Sequence, residues 1–141
     1  MFLILNELNL IKKVRLLVLM AFSSVVAQQQ HAEDTYKEFL NLYQSEDYAQ
    51  LIVKERPTVS AVKRTERDSL LVSKALHILA KGYYQLKHYR NALFLYNQAL
   101  QICPTTKLGT NQKGQLLFDK ALLQYHQQDY LVSLKTVKQA E

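Results

Sequence analysis

Apolar residues recur at intervals of three and four over much of this chain, most regularly from Leu76 to Pro104. Leu76, Leu79, Ala80, Tyr83 and Leu86 share one side of a helix at that spacing. The polar pair Lys87-His88 interrupts, and a second stripe follows in Tyr89, Ala92, Leu93, Tyr96, Ala99 and Leu100. Pro104 ends it, because proline has no N–H and its ring collides with the preceding turn. Two amphipathic helices joined by so few residues fold back on each other as an antiparallel hairpin. Ala80, Ala92 and Ala99 are the small residues where the two axes approach.

The pattern repeats. Tyr84 and Tyr89 flank the central turn, and the pairs Tyr43/Tyr48 and Tyr125/Tyr130 stand 41 residues before and after it. That register sets Phe39 and Leu51 in the first copy, and Ala121 and Ser133 in the third, against Ala80 and Ala92. The expected fold class is therefore all-α: about three degenerate antiparallel hairpins, stacked because one hairpin cannot bury both of its faces. The repeats centre on residues 33–56, 66–104 and 110–141. Within them the first helices read as 33–44, a longer one opened by Thr65, and 111–127; the second helices read as 48–55, 89–103 and 130–140. Thr65 and Asp68 have capping-box spacing, Pro57 closes the first hairpin, and 57–63 and 105–109 read as links.

The central series Leu76, Leu79-Ala80, Tyr83, Tyr89, Ala92, Tyr96, Ala99, Pro104 resembles a tetratricopeptide repeat. Leu76 replaces the usual Trp and Ala80 the commonest Gly, and the period exceeds the roughly 34-residue standard unit by about two helical turns. The resemblance implies a right-handed solenoid that binds protein or peptide segments and is not an enzyme.

Residues 1–27 differ in kind from the rest. Lys12, Lys13 and Arg15 precede the apolar run 16–27, whose small residues Val25 and Ala27 complete the layout of a secretory signal peptide. The run has 12 residues, against the roughly 20 a membrane-spanning helix needs. Cleavage after Ala27 is expected, leaving 28–141 as the helical repeat domain with 28–31 as a frayed new terminus, so that the membrane is met only through the transient signal. This reading places the protein in the periplasm or cell envelope of a bacterium. Removing that segment lowers the net charge from +6 to +4, since three cations and Glu7 leave together. The basic run Lys54, Arg56, Lys63, Arg64 and Arg67 is interleaved with Glu55 and Glu66 and carries no aromatic residue for base stacking. It reads as a solvated link, and no nucleic-acid partner is expected.

Candidate chemistry is sparse. Cys103 is the single cysteine and lies at the end of an apolar stripe, where a free thiol packs as a small hydrophobe. His31, His77, His88 and His126 form no pair at the spacing of a helical zinc site. No nucleophile elbow or glycine-rich phosphate loop occurs. No catalytic residue, metal or cofactor is expected.

The family frame assigns Tyr48, Tyr89 and Tyr130 to packing, and Tyr43, Tyr84 and Tyr125 to the concave groove. One turn earlier it places Leu40, Lys81 and Leu122 there, and before those Tyr36, His77 and Phe118; Lys74 joins them. The clamp of Lys and Asn by which chaperone-binding members hold a terminal carboxylate is absent, since Tyr36 and Leu40 occupy its first positions. The expected ligand is an extended segment with apolar side chains and some acidity. The expected function is a non-catalytic scaffold exported to the envelope. The alternative is the periplasmic sensor region of a bacterial signalling protein, a histidine kinase or transcription regulator. Self-association through an open last repeat is a further expectation, as Leu131, Leu134 and Val137 lack a polar cap.

Overall fold

A computed structural model of the chain describes residues 2–54 and 65–139. The described residues form six α-helices and no strand: α1 (Phe2–Gln44), α2 (Tyr48–Val53), α3 (Glu66–Gln85), α4 (Tyr89–Ile102), α5 (Lys107–His126) and α6 (Tyr130–Lys138). The expected end of the first hairpin at Glu55 and Pro57, the link 57–63 and Ala140 lie outside the described residues. The chain divides into two compact units, Met1–His31 and Ala32–Glu141.

The first unit is the leading part of α1. Leu10, Val14, Leu17 and Phe22 are among its exposed apolar side chains. Ser23 and Ser24 donate their hydroxyls to the carbonyls of Leu19 and Ala21, so neither serine interrupts the helix. The helix also continues through 28–31, where the polar run reads as a frayed terminus. No proline occurs before Pro57 and no glycine before Gly82, and Ala and Gln favour helix. No helix among the described residues is long and apolar enough to cross a membrane.

The second unit is built of hairpins. Residues 32–44 of α1 pair with α2, α3 with α4, and α5 with α6. In the central hairpin Ala80, Ala92 and Ala99 are fully buried, together with Leu76, Leu79 and Leu95. Small residues at those places let the two backbones close up, as the spacing of the stripes requires. The equivalent positions are buried in both neighbours: Phe39 and Leu51 before, Ala121 and Ser133 after. Leu51 is large for its slot and points at α3, where a Cβ on Gly82 would stand 2.7 Å from its Cδ2. The bulk of the first hairpin is thus accommodated by a missing side chain in the second. Two serines buried at helix contacts have carbonyl partners: Ser73 Oγ donates to Ala99 O at 2.9 Å, and Ser133 Oγ to Ala121 O at 2.8 Å.

All three turns share one backbone solution. Glu46, Lys87 and Gln128 have φ of 59°, 61° and 64°, and they too are 41 residues apart. In the central turn Lys87 N–H donates to Tyr84 O and His88 N–H to Tyr83 O, the bond pair of a Schellman motif. The same pair recurs at Glu46/Asp47 and Gln128/Asp129. Glycine is the usual residue at this left-handed position, and its absence is why the turn type is hidden in the sequence.

Helix starts follow their caps. Thr65 and Asp68 form the expected capping box, with Asp68 N–H bonded to Thr65 Oγ1 at 3.2 Å. Asp47 Oδ1 accepts from Gln50 N–H to open α2. The third repeat departs from expectation: α5 begins at Lys107, not at Asn111. Gly109 reads as a loop residue but sits in the first turn, pressed against the Pro104 carbonyl where any Cβ would collide with backbone. Cys103 Sγ donates to Gly109 O at 3.4 Å, and burial pushes its thiol pKa up, as suits a packed and unreactive group.

Candidate partner-binding groove

Residues 36–43 of α1, 70–85 of α3 and 108–122 of α5 stand side by side and border a run of depressions. One is a cavity of about 130 Å³ lined by Tyr43, Lys81, Tyr84, Gln85, Tyr96, Asp119 and Leu122. A second, of about 360 Å³, has Tyr36, Leu40, Lys74, His77 and Lys81 on its walls. A third, of about 640 Å³, lies among His77, Lys81, Asn111, Phe118 and Asp119. Lys81 borders all three. Nine of the ten residues assigned to the groove from sequence therefore line this one surface. Tyr125 stands apart; it is exposed and packs its ring on Tyr130 and His126.

Lysine and tyrosine alternate across the first junction. Lys74 Nζ lies 5.7 Å from the centre of the Tyr36 ring and Lys81 Nζ 4.8 Å from that of Tyr43, both within cation–π range. Neither lysine has an ion-pair partner among the described residues. By contrast, Lys54 reaches Glu38 at 2.6 Å and Arg67 reaches Glu33 at 3.7 Å, so both described ends of the basic run meet carboxylates of α1.

The second junction is tied by a buried polar cluster. His77 is only 7% exposed; its Nε2 lies 2.7 Å from Asp119 Oδ2, and its Nδ1 lies 3.2 Å from Gln112 Nε2. With the Gln112 amide donating, Nδ1 is the acceptor and Nε2–H donates to the carboxylate. Both ring nitrogens are thus engaged within the fold, and His77 belongs to the floor that joins α3 to α5. Its ring also meets Tyr96 at 5.7 Å, edge to face. Burial first, and Asp119 second, hold the Tyr96 phenol far above its ordinary pKa, so it stays neutral.

Tyr43 and Tyr84 line the groove, whereas Tyr48, Tyr89 and Tyr130 line none of the three depressions. In each turn the pair touches, with ring centres 5.5, 5.7 and 5.2 Å apart for Tyr43/Tyr48, Tyr84/Tyr89 and Tyr125/Tyr130. Tyr84 also contacts His126 of the next repeat, and burial raises its pKa. Asp119, Gln112 and Tyr96 are the site residues that sequence reading missed. The period maps Asp119 onto Ile78 and Gln112 onto Leu71, so the repeat itself gave no sign of polar groups there.

Stacked hairpins with an open, aromatic inner surface define a helical-repeat protein of the kind that holds other proteins. No curated protein and no solved structure matched the chain. Residues 73–106, which hold most of the central hairpin, match the family model described as Tetratricopeptide repeat.

Proposed function

We propose that this protein is an exported scaffold that holds an extended segment of another protein in the groove between its first helices. The observation that carries the groove assignment is the convergence of nine sequence-assigned residues on one surface whose two lysines have no ion-pair partner among the described residues. Export rests on the signal-like composition of residues 1–27. Where the chain is exported, N-terminal sequencing of the mature species should read Gln28 first; a mature protein retaining Lys12 would remove the export reading.

A photo-crosslinking side chain placed at Phe118 or Leu122 tests the groove. Both positions are exposed, at 64% and 40%, so the probe disturbs little packing. Crosslinks to a partner are expected from these positions and not from Phe94, which is exposed on α4 and lines none of the three depressions. Capture from Phe94 alone would move the site to the other face. Exposed Leu131, Leu134 and Val137 on α6 supply the surface for self-association, which a sedimentation series over protein concentration reads directly.

A further inference from the structure

The groove includes a small, partly open recess. The cavity of about 130 Å³ is walled by three tyrosine rings and Leu122, drawn from all three hairpins, with Lys81, Gln85 and Asp119 as its polar lining. Pockets that take whole cofactors or drug-sized ligands measure roughly 300–1,000 Å³, so this one is sized for a single side chain. Its tyrosine and leucine walls favour an apolar one, because a polar group set against them would give up its hydrogen bonds to water without replacement. Charge narrows the choice further. Lys81 lines the recess and has no ion-pair partner among the described residues, while Oδ2 of Asp119, the one carboxylate in its lining, is bonded to His77. A second cation with no ion pair among the described residues, Lys74, lies two helical turns away along α3, roughly 10 Å by helix rise.

Resting on the groove reading above, we propose that the bound segment is apolar and acidic. One aliphatic or aromatic side chain fills the recess between Tyr43, Tyr84 and Tyr96, and a neighbouring carboxylate meets Lys81. The interaction is a charge-assisted contact at the rim of an apolar anchor, the arrangement in which a few residues carry most of an interface's energy. Basic segments are rejected by Lys74 and Lys81 together.

Four pools of short fluorescein-labelled peptides separate the alternatives: apolar–acidic, apolar–basic, polar–acidic and polar–basic, each titrated against the full chain by fluorescence polarisation. The apolar–acidic pool should bind at least about tenfold more tightly than the others, and weaken between about 0.1 and 1 M salt. Lys81→Glu should lower that affinity by about tenfold or more and Lys81→Met by less, with circular dichroism unchanged. Arg90→Glu makes the same change in net charge at an exposed position on α4 and should alter it less than about twofold. Equal losses from Arg90→Glu and Lys81→Glu, or preference for the apolar–basic or a polar pool, would overturn the proposal while leaving the groove standing. Binding of none of the four pools would overturn both.

Discussion

The central hairpin and the last one are built to the same local plan and end in opposite circumstances. Lys87 and Gln128 take the same left-handed conformation, and Tyr84/Tyr89 and Tyr125/Tyr130 make the same ring contact. Yet His77 is 7% exposed and its equivalent Phe118 64%; Tyr96 is 1% exposed and its equivalent Val137 41%. The more polar member of each pair is the buried one. In the central hairpin α5 lies over this face and supplies Asp119 and Gln112 to His77. Nothing among the described residues covers the same face of α5 and α6. Hairpin geometry is thus a local property of each repeat, while burial is conferred by the neighbour, as nearest-neighbour coupling in a repeat array requires.

The largest effect expected from this contrast is at the pair Tyr96 and Val137. Tyr96→Ala empties a fully packed site and should cost about 3–5 kcal/mol, whereas Val137→Ala should cost less than about 1 kcal/mol. Urea denaturation of the two variants measures both, and similar losses would mean that the last repeat is covered in solution. Next comes the seam. Ala92→Leu forces extra carbon between two backbones already in contact and should destabilise by about 1–3 kcal/mol. Ala49→Leu, exposed on α2, should leave the melting temperature nearly unchanged. Equal melting temperatures would show that the shared register is wrong.

The smallest effect should be identical in the two hairpins. Lys87→Gly and Gln128→Gly each relieve a side chain held at positive φ, a cost of roughly 1–2 kcal/mol that glycine's greater unfolded-state freedom partly offsets. A gain of roughly 0.5–1 kcal/mol is expected from either substitution. A gain at Lys87 alone would show that turn strain, too, depends on the neighbour. Cys103 offers an independent check on the central hairpin: with its pKa raised by burial, it should resist thiol reagents in the native chain and react at once when unfolded.

Much of the groove was legible because it is a matter of spacing. Lys81 follows Lys74 by seven residues and Leu40 precedes Lys81 by 41, so one helical frame and one period suffice to collect them. Tyr125 obeys both rules and still lies apart, because nothing among the described residues supplies an opposite wall beside it. His77 obeys them and is turned to structural use. The fraying expected at 28–31 belongs to the processed chain; in the full chain α1 is continuous there, through residues that include no helix breaker.

What the sequence determined by itself is what depends on residues within a few turns of one another: the stripes, the alanine seam, the capping box at Thr65 and the 41-residue recurrence of turns. These follow from helix geometry and local hydrogen bonding, which a periodic pattern encodes directly. Tertiary structure alone decided the pairing of His77 with Asp119, the reach of Leu51 to Gly82 and the cavity behind Lys81. His77 and Asp119 are 42 residues apart and Leu51 and Gly82 31, neither the repeat's own 41, and the cavity gathers residues of all three hairpins. Such contacts depend on how far each helix is rotated and how closely it approaches, and packed volume sets both.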